Sequence, residues 1–96
     1  MHAVIRSYSG SGATELFDLL EARKNEVEDV IRTVTGFVSY TLLRTDGGGI
    51  TVTVCQDKTG TDESLQVART WIQDNAADLS VDPPAVSEGR VVLQLT

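Results

Sequence analysis

Cysteine and histidine each occur once in this 96-residue chain, and basic residues are few. Each scarcity removes a class of function. A lone cysteine, Cys55, cannot close an intrachain disulfide, which fits a reducing compartment. One cysteine and one histidine, His2, are too few soft ligands for a structural zinc site. The acidic residues form no metal-binding spacing and read as solvated surface, so no metal is expected. Lys plus Arg is 8 against 14 for Asp plus Glu, a formal charge of −6. A nucleic-acid backbone binder needs a basic patch. Here Arg6, Arg23, Lys24, Arg32, Arg44, Lys58, Arg69 and Arg90 are scattered, so no nucleic-acid partner is expected. No run of about 20 apolar residues occurs, and no basic-then-apolar leader follows Met1. No membrane partner is expected, and the expected location is cytoplasmic.

What is present is an order of patterns. Strand signals at His2–Tyr8, Phe37–Thr45, Gly49–Asp57 and Gly89–Leu95 alternate with helix signals at Ala13–Val34 and Asp62–Ala76. The order βαββαβ predicts one α+β sandwich spanning residues 1–96 as a single domain. In the first helix Leu16, Leu19, Leu20, Val27, Val30, Ile31 and Val34 fall on one stripe. The polar middle, Glu21 to Glu28, predicts a kink or a second segment. Ser11 or Thr14 is the candidate N-cap, and Gly36 stands past the end as a left-handed stop. Phe37–Thr45 is apolar on both faces and predicts a strand buried on both sides. Asp46-Gly47-Gly48-Gly49 predicts a hairpin. After it, Ile50, Val52 and Val54 alternate with Thr51, Thr53 and Cys55. The apolar set is expected against the helices, with the swapped assignment of the two faces as the alternative. In the second helix Leu65, Ala68, Ile72 and Ala76 form the stripe, Trp71 borders it, and Thr61 is the candidate cap. Val81-Asp82-Pro83-Pro84 reads as an extended connector.

Four features bear on chemistry. Ser9-Gly10-Ser11-Gly12, between a strand and a helix, reads as a plain turn or as backbone N–H groups for an anion. It lacks both the dinucleotide fingerprint and the lysine of a phosphate-binding loop. Cys55, inside a strand, reads as an inert buried thiol, since a nucleophile needs a base and only His2 is on offer. Trp71 and Tyr40 read as core, cavity wall or subunit contact. Two helices cover only one face of a four-stranded sheet. An open face with apolar side chains calls for a second subunit or a ligand.

These features meet a resemblance. A strand ending in Arg6-Ser7-Tyr8, a long helix, and then Thr35-Gly36-Phe37-Val38-Ser39-Tyr40 resemble the dimeric α/β-barrel superfamily that includes antibiotic-biosynthesis-type monooxygenases. The second segment is similar to that family's Pro-Gly-Phe approach to its second strand, with Thr35 in the proline position. The hairpin, the helix with Trp71 and the last strand extend the likeness over nearly the whole chain. Phe37 to Asp57 looks close to uncharacterised bacterial members. The resemblance implies a ferredoxin-like fold, a four-stranded antiparallel sheet with two helices on one face. It also implies a homodimer built sheet to sheet and a cleft for an organic molecule. Trp71, Tyr40, Tyr8 and Arg6 are the ligand-binding residues it points to, with Arg6 or a tyrosine on an oxyanion and Trp71 against a ring.

Some members oxidise polyphenols without a cofactor, and others degrade haem with an Asn, a Trp and a His. No histidine follows Trp71 here, and Asn75 comes after it, so haem chemistry is not implied and no cofactor is expected. Two functions remain in view. One is non-catalytic binding of a small hydrophobic or aromatic molecule. The other is cofactor-independent oxygenation of an aromatic substrate. Acylphosphatase-like hydrolysis at the Ser9–Gly12 loop is a third, weakened because Arg6 lies before the loop rather than in it.

Overall fold

The computed structural model describes residues Met1–Thr96. Its elements follow the order β1 (His2–Tyr8), α1 (Ala13–Ala22), α2 (Lys24–Arg32), β2 (Phe37–Thr45), β3 (Gly48–Cys55), α3 (Lys58–Asn75) and β4 (Ala85–Arg90). The four strands form one antiparallel sheet in the order β2-β3-β1-β4. β1 and β3 are central, so both crossovers jump a strand, and the helices are laid on one face. This is the ferredoxin-like α+β arrangement. No helix is long and apolar enough to cross a membrane.

Register decides which side chains face the helices. Arg6 pairs with Thr51, Val4 with Thr53 and Tyr8 with Gly49. Val4, Arg6, Tyr8, Thr51, Thr53 and Cys55 are all buried. The helix-facing row of β3 is therefore Thr51, Thr53 and Cys55, and Ile50, Val52 and Val54 lie on the open face. This reverses the expectation. The β3 side chains toward the helices are small and polar, which leaves room for larger groups from α1, α2 and α3. A bulge between Phe37 and Ser39 turns Phe37 to the same side as Tyr40 and Leu42. β2 is an edge strand, and its side chains are half-buried or exposed rather than buried on both faces.

α1 buries Ala13, Leu16, Phe17 and Leu20, the i, i+3, i+4, i+7 row of an amphipathic helix. The polar stretch does break the helix, at Arg23, and α2 continues with Val27 and Ile31 inward. The cap of α1 is Gly12, with no side-chain bond, in place of Ser11 or Thr14. Gly36, at φ 68°, turns the chain into β2. Gly49 is required for a different reason. A Cβ built there would lie 2.1 Å from Phe17 Cε2, so the phenyl ring rests on bare backbone. Tyr8 meets the same ring edge-on at 5.7 Å between centroids.

α3 starts earlier than expected. Asp57 caps it, its carboxylate accepting from the Gly60 N–H at 3.3 Å, while the Thr61 hydroxyl donates to Lys58 O instead. Its buried row is Gly60, Thr61, Ser64, Ala68 and Trp71, with Leu65 and Ile72 half-buried beside it. Gly60 brings the first turn of α3 against Cys55, where a Cβ would lie 2.7 Å from Cys55 Cβ. Trp71 fills the wider gap at the other end. β4 also differs, running Ala85–Arg90 rather than Gly89–Leu95. Its register places Arg90 opposite His2, so β1 has run out by Met1, and only Val91 N–H donates onward, to Met1 O at 2.9 Å. Val92, Leu93 and Leu95 are left without a strand partner and are highly exposed.

Candidate functional site

β1 brings Arg6 and Tyr8 to the middle of the helix-facing side, β2 contributes Tyr40 two strands away, and α3 lowers Trp71 from above. All four border one cavity, closed by Leu20 of α1 and by Val27, Val30 and Ile31 of α2. The four side chains picked from the sequence thus share one space. It lies between the helices and the sheet of a single chain, whereas the open face was the place expected for a cleft. The cavity is narrow, about 30 Å³, room for one or two water molecules. It widens at both ends. Toward β2, a groove of about 250 Å³ runs between α2 and Phe37, Tyr40 and Leu42. Toward β4, a groove of about 430 Å³ runs between Arg6 and Tyr8, the Arg69 side of α3 and the Val81–Pro84 connector.

The walls are apolar, yet several polar groups reach the cavity without full partners. Arg6 is only 6% exposed, and no carboxylate pairs with it. Its Nη1 donates to Tyr8 Oη at 3.1 Å, and its Cζ lies 5.9 Å from the Tyr8 ring centroid. This buried guanidinium is held by phenols alone, by the direct bond to Tyr8 and by the attraction of Tyr40 nearby. Trp71 Nε1 and Thr51 Oγ1 are buried with no hydrogen-bond partner, and both residues line the cavity. Thr53 Oγ1 also lacks a partner, outside it. Orphaned buried donors are costly and uncommon in a folded protein. Burial pushes the Tyr40 phenol above its ordinary value, against the opposing pull of the nearby Arg6 cation. The site therefore holds one cation and a Tyr40 phenol that burial keeps protonated, with no carboxylate or histidine in its lining, a set that stabilises an anion.

Arg23 was not singled out from the sequence, and the structure gives it a place. It sits at the α1–α2 break, forms an ion pair with Glu26, and lies 5.2 Å from the Trp71 ring centroid. It covers Trp71 from outside by a cation–π contact. No sequence periodicity marks such a contact. The polar Glu21–Glu28 stretch located the break but not its function.

The remaining candidates lie elsewhere. The Ser11 N–H in the Ser9–Gly12 loop donates to Asp82 Oδ2 at 3.2 Å, and the Asp82 N–H donates to Ser11 O at 3.1 Å. The chain's own carboxylate occupies the place of an anion, so the loop is a turn. Cys55 is fully buried, and burial, with Asp57 and Glu63 nearby, pushes its thiol up. It stays protonated and unreactive at neutral pH. His2 is half-buried at the end of β1, its Nδ1 2.8 Å from Thr61 Oγ1 and its Nε2 3.6 Å from Glu88 Oε1. It does not reach the cavity.

No protein-family model matches the chain, and no curated protein sequence does. Solved structures match over almost its full length. A protein of unknown function from Nitrosomonas europaea superposes with a TM-score of 0.70 at 16% identity, covering 99% of this chain and 91% of that one. The ActVA-Orf6 monooxygenase of Streptomyces coelicolor, solved in complex with nanaomycin D, superposes with a TM-score of 0.62 at 18% identity, with the same two coverages. The chain shares the ferredoxin-like fold of these two proteins. The resemblance carried by Arg6–Tyr8, Thr35–Tyr40 and the Trp71 helix is matched by a likeness of backbone. At these identities the likeness is one of fold.

Proposed function

We propose that the protein binds a small hydrophobic or aromatic molecule between its helices and its sheet, with Trp71, Tyr40, Tyr8 and Arg6 as the contact residues. One observation carries this reading. Three separate elements converge on an apolar cavity that contains a buried, unpaired guanidinium and two buried polar groups with no partner. A molecule with an aromatic body and one or more acceptor atoms satisfies all three and packs against Trp71 and Tyr40. The monooxygenase of like fold solved with nanaomycin D supports a small-molecule ligand. Since the cavity is only about 30 Å³ as it stands, binding requires α2, which closes it with Val27 and Ile31, to move away from the sheet.

The functional unit in this reading is a homodimer closed through the open sheet face, in a soluble cytoplasmic protein. Ile5, Leu43, Ile50 and Val52 on that face, and Val92, Leu93 and Leu95 of the tail, form the apolar surface that a second copy covers.

A second reading is oxygenation of the bound aromatic without a cofactor. The buried Arg6 cation favours it, because it stabilises a phenolate, the electron-rich form that reacts with oxygen. Trp71 is the only tryptophan, so its fluorescence reports the cavity directly. Saturable quenching by naphthols and hydroxyquinones is the expected result, and an unresponsive Trp71 across the panel sinks the binding reading. Oxygen uptake by the same mixtures, free of added metal or flavin, separates turnover from binding alone.

A further inference from the structure

Half of the chain's eight lysine and arginine side chains are already neutralised. Arg23 pairs with Glu26, Arg32 with Glu28, Arg44 with Asp18 and Glu21, and Lys58 with Asp62 and Glu88. In a chain of formal charge −6, any cation left without a carboxylate is notable. Arg6 and Arg69 are two of these, and both border the groove of about 430 Å³ between α3, the connector and β4. (The others, Lys24 and Arg90, lie off this groove.) Arg6 also borders the narrow cavity under Trp71, so it stands at the junction of the two spaces. The groove has one acid, Asp82, whose Oδ2 is turned to the Ser11 N–H.

We infer that this groove is the head-group site for an organic carboxylate. Its anion sits between Arg6 and Arg69, and its apolar body passes Arg6 to reach Trp71 and Tyr40. The inference rests on the binding reading above and adds the charge and position of the ligand's polar end. The chemistry favours a planar monoanion. A guanidinium presents parallel N–H donors that match the two carboxylate oxygens. At Arg6 the pair is shielded from water, which strengthens it. Arg69, on the exposed rim, attracts the anion during approach and loses influence as salt rises. A phosphate dianion would need more donors than the groove offers, and Asp82 repels its double charge more strongly than the single charge of a carboxylate.

The test uses naphthoic acid, its methyl ester and naphthyl phosphate, which share one ring system. Binding to the full-length protein is followed by Trp71 fluorescence and by calorimetry. The acid is expected to bind about tenfold more tightly than the ester, the scale of a charge-assisted hydrogen bond. Arg69→Gln should weaken the acid about threefold at low salt, abolish the salt dependence of that difference, and leave the ester unchanged. Arg6→Gln should erase the preference for the acid. Should that variant fail to fold, the ester comparison and Arg69→Gln still decide. An ester that binds as well as the acid, or a phosphate that binds better than either, overturns the head-group site while leaving aromatic binding intact. If no member of the series perturbs Trp71, both readings fall together.

Discussion

The two faces of the sheet divide their side chains the opposite way from a simple two-layer protein. The face beneath the helices carries Arg6, Tyr8, Thr51, Thr53 and Cys55, and two of its threonine hydroxyls have no partner. The face without helices carries Ile5, Ile50, Val52 and Val54, of which only Val54 is buried. Hydrophobic burial alone would put the second set inside. The difference teaches that the interior is divided in purpose. Around Phe17 and Gly49 it is tightly packed core. Around Arg6 and Trp71 it keeps polar groups that a self-sufficient core would exclude. The open face is the more core-like of the two, and it suits a surface that another copy covers.

The largest expected effect tests the packed part of the helix face. Phe17→Ala removes a fully buried ring and should cost about 3–5 kcal/mol in denaturant unfolding. Gly49→Ala forces a methyl into that ring and should cost about 1–3 kcal/mol. Combining it with Phe17→Leu should cost less than the sum, because the smaller side chain vacates the clash. Additive losses would mean that the ring does not rest on Gly49.

The open face is tested next. Ile5→Asp combined with Val52→Asp places two charges where a partner is proposed. The expected outcome is a monomer by light scattering, with association weakened by about 3 kcal/mol or more. Wild-type protein that is already monomeric at micromolar concentration would remove the reason for the apolar face. A smaller effect separates the two phenols of the cavity. Tyr8→Phe takes away the acceptor of the buried Arg6 and should cost about 1–3 kcal/mol of stability. Tyr40→Phe should cost less than Tyr8→Phe, since Arg6 makes its direct bond to Tyr8, and should act mainly on ligand affinity. Equal costs would show that Arg6 is not held by Tyr8 in particular.

The sequence made the element order, the helix break and the four cavity residues legible, for separable reasons. Periodicity marks a strand or helix locally, and Gly-rich turns mark where it stops. Arg6, Tyr8, Tyr40 and Trp71 were pointed to by the family resemblance, and the topology of β1, edge strand β2 and α3 brings them to one cavity. The facing of β3 was not legible. Alternation shows that Ile50, Val52 and Val54 share a side, but only the register with β1 says which side. A bulge at Phe37 likewise shifts one residue across the sheet without any local signal. The last strand was misplaced because Val91, Leu93 and Leu95 alternate as a strand should, while Ala85–Arg90 does not. Pairing with β1 outweighed that pattern, since the six residues of β4 are all exposed and gain their structure from ladder hydrogen bonds.

The smallest effect follows from the two groups of the helix face whose protonated forms burial favours. Burial first, and then Asp57 and Glu63, raise the Cys55 thiol. Burial raises the Tyr40 phenol, with Arg6 opposing and Tyr8 adding. Above about pH 8.5 an unfolded chain releases the cysteine proton, and above about pH 10 the tyrosine proton, while the folded chain still holds both. The unfolded state then binds fewer protons, so stability falls as pH rises. The contribution is complete below those ordinary values and is lost as pH climbs through the raised ones. Lys58, exposed and paired with Asp62 and Glu88, shifts in the same sense, and moderate salt suppresses that part. Urea midpoints measured in such salt should therefore be flat near neutrality and decline from about pH 8.5. Cys55→Ala should remove the first part of the decline and leave the later, tyrosine part in place. A wild-type midpoint that holds steady through that first interval would put the Cys55 thiol in contact with water, and with it the close approach of α3 to β3 would have to be given up.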